Sequence, residues 1–316
     1  MLKDFMLLRA MVKGGGGGGE EASALDSVID RSITEINNNT EIVGYYAFAS
    51  CANLTIASFP VCTSIGEGAF LDCSSLTTLS FPVCTRIGWK AFSSCFKLTT
   101  ANFPVCTSIG DGAFRECSSL TTVSFPVCTT ISSNAFYECF KLTTASFPVC
   151  TTIGGSAFSS CYHLTTANFP VCTSIGSGVF HECFDLSTLS FPVCSNIGGN
   201  AFIKCSSLTT ANFPACTRIG GGAFLQCSSL TTASFPVCTT ISGSAFRSCI
   251  SLMSLYLTGS SVPTLSYITA FQNTPMSDST YTGAFGSIFV RASLVDAFKS
   301  ATNWATYADR ITAYVE

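Results

Sequence analysis

The sequence predicts a solenoid of short parallel β-strands, one per 22-residue repeat, closed by a small α+β cap at its C-terminal end. Three periodicities carry that prediction. Proline recurs at Pro60, Pro82, Pro104, Pro126, Pro148, Pro170, Pro192, Pro214 and Pro236, with no slip in the 22-residue step. Leucine keeps the same register from Leu54 to Leu252, and so does the phenylalanine of each Ala-Phe pair, from Phe48 to Phe246. Only duplication of one unit produces such a pattern, and the repeat takes precedence over chain length as a guide to architecture.

One unit, read from Cys73, is CSSLTTLSFPVCTRIGWKAFSS. Leu76, Leu79 and Phe81 have the L-x-x-L-x-F spacing of a leucine-rich-repeat strand. Period-2 alternation then turns Leu79 and Phe81 inward and Thr78 and Ser80 outward. The Thr-rich, β-branched run suits a pleated ladder, and Pro82 ends it because proline donates no further ladder hydrogen bond. The second half, Val83 to Ser94, is short and glycine-rich, which leaves room for turns, 3-10 or a short helix. Its Ile87, Ala91 and Phe92 fill the core from the far wall. A single unit cannot bury its apolar side alone, so units stack. Ten rungs at ~4.8 Å give a ladder on the order of 50 Å long.

The string P-x-C-T-x-I-G-x-x-A-F-x-x-C-x-x-L resembles the BspA-like class of bacterial leucine-rich repeats, whose units carry the same I-G-x-x-A-F-x-x-C-x-x-L core. The match spans about residues 40–257. The departures are one residue fewer after the proline and Val179 in place of one alanine. The resemblance implies a leucine-rich-repeat solenoid that presents a surface to a protein or glycan, as a bacterial surface adhesin of that class does.

The chain divides into a leader and glycine linker (1–21), an N-terminal cap (22–39), the solenoid (40–257) and a C-terminal cap (258–316). Gly14 to Gly19 read as a flexible linker. In the C-terminal cap, Ser287 to Ala292 alternate as a strand. Ser293 is the expected N-cap of a helix Leu294 to Thr302, with Val295, Ala297 and Phe298 on its apolar side, laid over the last rung to protect its edge. The block SIFVRASLVDAFKSATNWATYADRI, with Asp30 to Thr34 near the start, also resembles leucine-rich-repeat proteins of prophages in gut Gram-positive bacteria; those have proline where this chain has Arg291. That resemblance implies carriage on a virion, with Met1 to Lys13 joining the solenoid to a larger assembly. The alternative for that segment is a free disordered tail.

Charged residues are 10% of the chain, against roughly 25% in ordinary soluble domains, so solubility rests on hydroxyls and amides. The net charge of -3 and scattered basic residues argue against nucleic acid as a partner. No stretch is long and apolar enough for a spanning helix. The patch Phe5 to Val12 is broken by Arg9 and lacks the unbroken core of a signal peptide, which leaves other routes to the outside open.

All 19 cysteines occupy two repeat positions, Cys51 to Cys249 before the strand and Cys62 to Cys238 after the proline. The alternation at 11 residues lacks the spacing of a zinc site, and no cofactor is expected. They read as small buried thiols; cross-rung disulfides are the alternative, allowed by Cα spacing but opposed by parallel Cβ vectors. His163 and His181 lie two residues from Cys161 and Cys183, yet the cysteines point inward and the histidines outward, so no nucleophilic pair is expected and the chain reads as non-enzymatic.

Two surfaces are candidates for recognition. Outward strand positions form files of hydroxyls and amides, Thr78, Thr100, Thr122, Thr144 and Thr166 beside Ser80, Asn102 and Asn168. A regular array of this kind suits glycans or crystalline surfaces, and strand propensity alone is the alternative. Variation among repeats concentrates elsewhere, in the pairs after Ile-Gly, after Ala-Phe and after Cys, expected to share one edge. There Phe96, Phe140, Tyr162 and Phe184 on neighbouring rungs make an aromatic stripe with charged flanks, and Trp89, Lys97, Lys141 and His163 complete the candidate binding edge. An outer packing layer is the alternative.

Overall fold

The computed structural model describes residues 32–277 and 285–315. The leader, the glycine run and the Val28 to Arg31 part of the N-terminal cap lie outside them.

The chain winds as a coil with two parallel ladders, successive rungs pairing in register. Three-residue strands at the expected positions, such as Thr78–Ser80, Thr100–Asn102 and Thr122–Ser124, form the first wall. The second half of each unit takes the turn form of its expected conformations and adds a two-residue strand before the turns. These strands, from Ile42–Val43 to Thr264–Leu265, join into one unbroken eleven-stranded sheet. Inter-rung bonding continues through the turns: Gly68 N–H donates to Trp89 O, Phe70 to Ala91 O and Asp72 to Ser93 O, at 2.8, 2.7 and 2.9 Å. Nearly the whole perimeter is therefore laddered, which satisfies backbone groups that a buried turn would leave orphaned.

Two phenylalanine columns fill the interior. Phe70, Phe92 and Phe114 stack at 5.2 Å per rung, and Phe59, Phe81 and Phe103 form the facing column. Rings of the two columns meet edge to face, as Phe103 and Phe114 do at 6.0 Å and 64°. Each such pair contributes roughly 0.5–1.5 kcal/mol beyond area burial. Gly110 lets adjacent rungs approach, since a Cβ there would sit 2.6 Å from the Gly88 carbonyl carbon.

The first wall is not continuous, and one residue explains where it parts. From the strand Ile56–Ser58 to the strand Thr232–Ser234 the inward residue is alanine except at Leu79, Val123 and Leu189, and these three are only partly buried. The ladder breaks after each of them, at the step down to Ala101, Ala145 and Ala211. The phenylalanines widen at the same steps: Phe81–Phe103 is 5.8 Å, Phe125–Phe147 6.0 Å and Phe191–Phe213 6.0 Å, against 5.2 Å for Phe169–Phe191. A larger side chain pushes its strand out of line with the following alanine rung. The second wall repeats Ile, Val or Leu inward and does not break.

All 19 cysteines are buried thiols with no disulfide. Those before the strand donate to a carbonyl of the preceding rung, as Cys73 Sγ does to Phe48 O at 3.0 Å, and those after the proline donate two residues forward, as Cys84 Sγ does to Arg86 O at 3.2 Å. Threonine hydroxyls clip the rungs from outside: Thr85 Oγ1 donates to Thr63 O and Thr121 Oγ1 to Thr99 O, both at 3.0 Å.

At the C-terminal end the coil turns once more through Ile268–Phe271, and Phe271 extends the phenylalanine column onto Phe246 at 5.5 Å. Trp304 and Tyr307 close it, with ring contacts to Phe271 at 6.0 and 5.2 Å. Carbonyls that no further rung would satisfy receive side-chain donors instead: Trp304 Nε1 to Pro263, Asn303 Nδ2 to Leu265 and the Tyr307 hydroxyl to Ile268. The strand Ser287–Arg291 stands as expected. The helix is shorter than expected, Val295–Ser300, entered through the 3-10 turn Ala292–Leu294. Ser293 does not cap it, because it lies inside that turn, and Ala297 is exposed while Phe298 alone is buried. Nor does the helix cover the first wall's edge. A further parallel strand, Ile311–Tyr314, pairs with Ser287–Arg291 and takes the edge position.

Two outcomes are expected. Leu79→Ala should rejoin the first wall, raising amide protection at Thr100–Asn102 by hydrogen exchange, and should cost less than the roughly 2–5 kcal/mol of a fully buried Leu98→Ala. The thiols should resist DTNB in the folded protein and react together on denaturation. Burial pushes Cys84 and Cys128 up to about 12 and Cys106 to about 11, from 9.0. The unfolded chain thus loses protons that the folded one retains. Stability is full below about pH 9 and falls by up to ~1.4 kcal/mol per pH unit for each such thiol as pH rises toward the folded values, which a circular-dichroism alkaline titration reads.

Candidate functional site

Each rung has two residues in the left-handed conformation, one two positions after Ile-Gly or Ile-Ser and one before the cysteine. Lys90 and Glu116 are examples, at φ 48° and 62°. Outside glycine and Asn or Asp this conformation is uncommon, and inter-rung bonds such as Glu116 N–H to Tyr137 O at 2.7 Å hold it. These turns are the variable positions. The ladder fixes their backbone, and most of their side chains reach solvent, Ser94 and Ser160 being buried.

On the turn after the cysteine, Phe140, Tyr162 and Phe184 form a continuous external stack, at 5.0 Å and 18° for the first pair and 5.2 Å and 27° for the second. Phe140 and Tyr162 are half-buried and Phe184 is exposed. Tyr137 lies close by: burial, its hydrogen bond to Glu138 and the neighbouring Tyr162 raise its hydroxyl's pKa, against the opposing Arg115. Arg115 covers the Tyr137 ring at 4.7 Å and holds Glu116 at 3.0 Å. In the adjacent file His163 Nδ1 pairs with Asp185 Oδ2 at 2.9 Å across one rung, both exposed. Lys97 and Lys141 are exposed and make no ion pair among the described residues.

The expected stripe needs one correction. Phe96, 44% exposed, is not on a rung adjacent to Phe140, because Ser118 stands between them. Trp89 belongs to the turn after Ile87-Gly88, carries Lys90 Nζ at 4.3 Å over its ring, and makes no ring contact with the stack among the described residues. Farther along, small residues on the same turns leave a shallow groove of about 350 Å³ lined by Ser156, Ser177, His181, Asn200 and Ile203. Beside it Glu182 accepts from Lys204 Nζ at 2.6 Å, and that bond holds its carboxyl below the usual range. His163–Asp185 and Glu182–Lys204 are each separated by 22 residues, so the repeat register alone pairs them.

On the strand face the outward file lies as expected. Thr78, Ser80, Thr100, Asn102, Thr122 and Thr144 are exposed, and Thr166 and Asn168 half-exposed. Unlike the rung-clipping threonines, the Thr100, Thr122, Thr144 and Thr166 hydroxyls have no protein partner among the described residues. No group of three or more His, Cys, Asp or Glu among the described residues is placed to hold a metal ion, and none of their helices is long and apolar enough to cross a membrane.

Replacing Lys204 by Met should return the Glu182 carboxyl pKa toward its ordinary value, observable by NMR titration.

Among solved structures the chain is similar to a leucine rich cell surface protein from Faecalibacterium prausnitzii, at 24% identity over 87% of this chain and 82% of that one, TM-score 0.48. It is also similar to a leucine-rich repeat protein from Bacteroides ovatus (21%, 91% and 93%, TM-score 0.41) and one from Eubacterium ventriosum (24%, 84% and 83%, TM-score 0.42). No curated protein sequence matches it. The family model for the BspA type leucine rich repeat region matches residues 28–107, 85–209 and 151–278. With most of its length matched in the register that the stacked rungs display, the chain belongs to the BspA-type leucine-rich-repeat family.

Proposed function

We propose that the coil is a non-enzymatic recognition module whose working surface is the turn edge around Phe140, Tyr162 and Phe184, with a protein or glycan on the opposing surface. The single observation that carries this is the external aromatic stack itself. Rings filling the interior are buried almost completely, whereas these three lie on solvent-facing turns flanked by Lys141 and by the His163–Asp185 pair. Aromatic side chains on a rigid scaffold with a charged rim have the composition of binding hot spots. The chemistry of catalysis finds little support: the thiols are buried and protonated, and the histidines pair with carboxylates on exposed turns. The finer reading is carriage on a phage or prophage virion, supported by the resemblance of the C-terminal block and of the opening cap; a bacterial surface adhesin is the other arrangement in which the same edge would serve.

The test compares wild type with Phe140→Ala/Tyr162→Ala/Phe184→Ala and with Thr100→Val/Thr122→Val/Thr144→Val in glycan-array and whole-cell binding, after melting curves confirm the fold. Loss of binding with the first variant and retention with the second is the expected outcome. The reverse would move recognition to the strand face, and wild-type protein that binds no sugar or cell would leave a structural spacer as the account. Labelling of intact virions against labelling of the bacterial surface separates the two settings.

A further inference from the structure

The external aromatic file is interrupted once. Phe96, Ser118, Phe140, Tyr162 and Phe184 follow one another at 22-residue steps, so a serine stands where both neighbouring rungs carry a ring. The adjacent file has the same interruption, with Lys97, Ser119 and Lys141. Phe140 stacks on Tyr162 at 18°, so its ring lies across the coil axis and its other face looks toward the Ser118 rung, where no ring covers it. Phe96 is 44% exposed on the far side, and Ser118 and Ser119 are half-exposed between.

The dimensions select what fits. One rung along this file measures 5.0 to 5.2 Å, so Phe96 and Phe140 stand about 10 Å apart. A flat ring in contact on both faces needs only ~7–8 Å. The slot suits a thicker, puckered ring. Its floor carries two serine hydroxyls that make no side-chain hydrogen bond among the described residues, and two unpaired lysines flank it.

We propose that this slot is a subsite for a carboxylate-bearing pyranose, a sialic or uronic acid residue of a glycan. The ring's C–H faces pack between Phe96 and Phe140, the hydroxyls meet Ser118 and Ser119, and the carboxylate takes charge-assisted hydrogen bonds from Lys97 and Lys141. A neutral sugar leaves both ammonium groups without a partner, and a simple anion leaves the apolar walls unused. This assignment rests on the recognition reading of the edge and names its ligand class.

The experiment titrates the full chain with N-acetylneuraminic acid, glucuronic acid and glucose, by calorimetry and saturation-transfer NMR. At least one acid should bind, with affinity falling as salt is added, and glucose should bind roughly tenfold more weakly or worse. Ser118→Phe installs the ring that neighbouring rungs already accommodate, so it should keep the melting temperature and abolish binding. Lys97→Met/Lys141→Met should weaken the acid roughly tenfold while sparing the fold. Binding that survives Ser118→Phe, glucose binding equal to that of the acids, or no binding of either acid at roughly millimolar concentration overturns the assignment. Should the triple aromatic variant abolish cell binding while Ser118→Phe leaves it intact, the recognition edge stands and this ligand falls.

Discussion

The constraint on which everything else depends is the spacing of about 5 Å that backbone hydrogen bonds impose between rungs. At that spacing each side chain meets its own counterpart one unit away, so a repeat position must hold a residue that tolerates a copy of itself above and below. Phenylalanine does so by stacking, as Phe92, Phe114 and Phe136 show at 5.2 and 5.4 Å. Isoleucine does so on the second wall. Cysteine does so as a small neutral thiol with a carbonyl to donate to, and burial keeps it neutral.

Repeated charge meets the same requirement poorly, and where Glu116 and Glu138 do follow one another on adjacent rungs, Arg115 holds Glu116 at 3.0 Å. Like charges one rung apart repel, by about 0.8 kcal/mol even in bulk water at 5 Å, and repetition would multiply the penalty along the coil. Opposite charges across one rung are compatible with it, as in Glu182–Lys204 and His163–Asp185, and so are like charges kept two rungs apart, as Lys97 and Lys141 are by Ser119. The low charged fraction of the chain follows directly. Threonine replaces charge at the surface because its hydroxyl both meets water and clips the carbonyl of the rung before it.

Much of this was legible in the sequence because a strict period converts sequence distance into spatial adjacency. The strand at Thr78 to Ser80, the inward phenylalanines and the buried cysteines all follow from period 22 combined with period 2. The second wall was not legible: two residues such as Arg86–Ile87, followed by glycine, carry too little alternation to signal a strand, and only stacking makes them one. The breaks after Leu79, Val123 and Leu189 depend on how side-chain volume shifts a strand against its neighbour, which no pattern reports. At the C-terminal end, Ser293 preceding an apolar run looked like a cap, but the chain leaves the strand Ser287–Arg291 directly into a 3-10 turn and passes that residue before the helix begins. Of the external edge, the residues were legible; the gap at Ser118 was equally available from the register, since it requires only counting 22 from Phe96.

The walls and the turns answer to different demands, and that division bears on where recognition sits. A wall residue is judged by its neighbours on both sides, so a change on one rung propagates, as the displaced strands at Leu79 and Leu189 show. A residue on the turn after the cysteine, such as Phe140 or Phe184, follows a backbone held by adjacent rungs while its side chain reaches solvent. Substitution there changes the surface without changing the ladder. The three stacked rings at Phe140, Tyr162 and Phe184 and the serine gap beside them are therefore differences the coil can display at little cost to its own packing, and display of such differences on a regular rod is the physical basis for treating the turn edge, rather than the uniform threonine face, as the surface that distinguishes one partner from another.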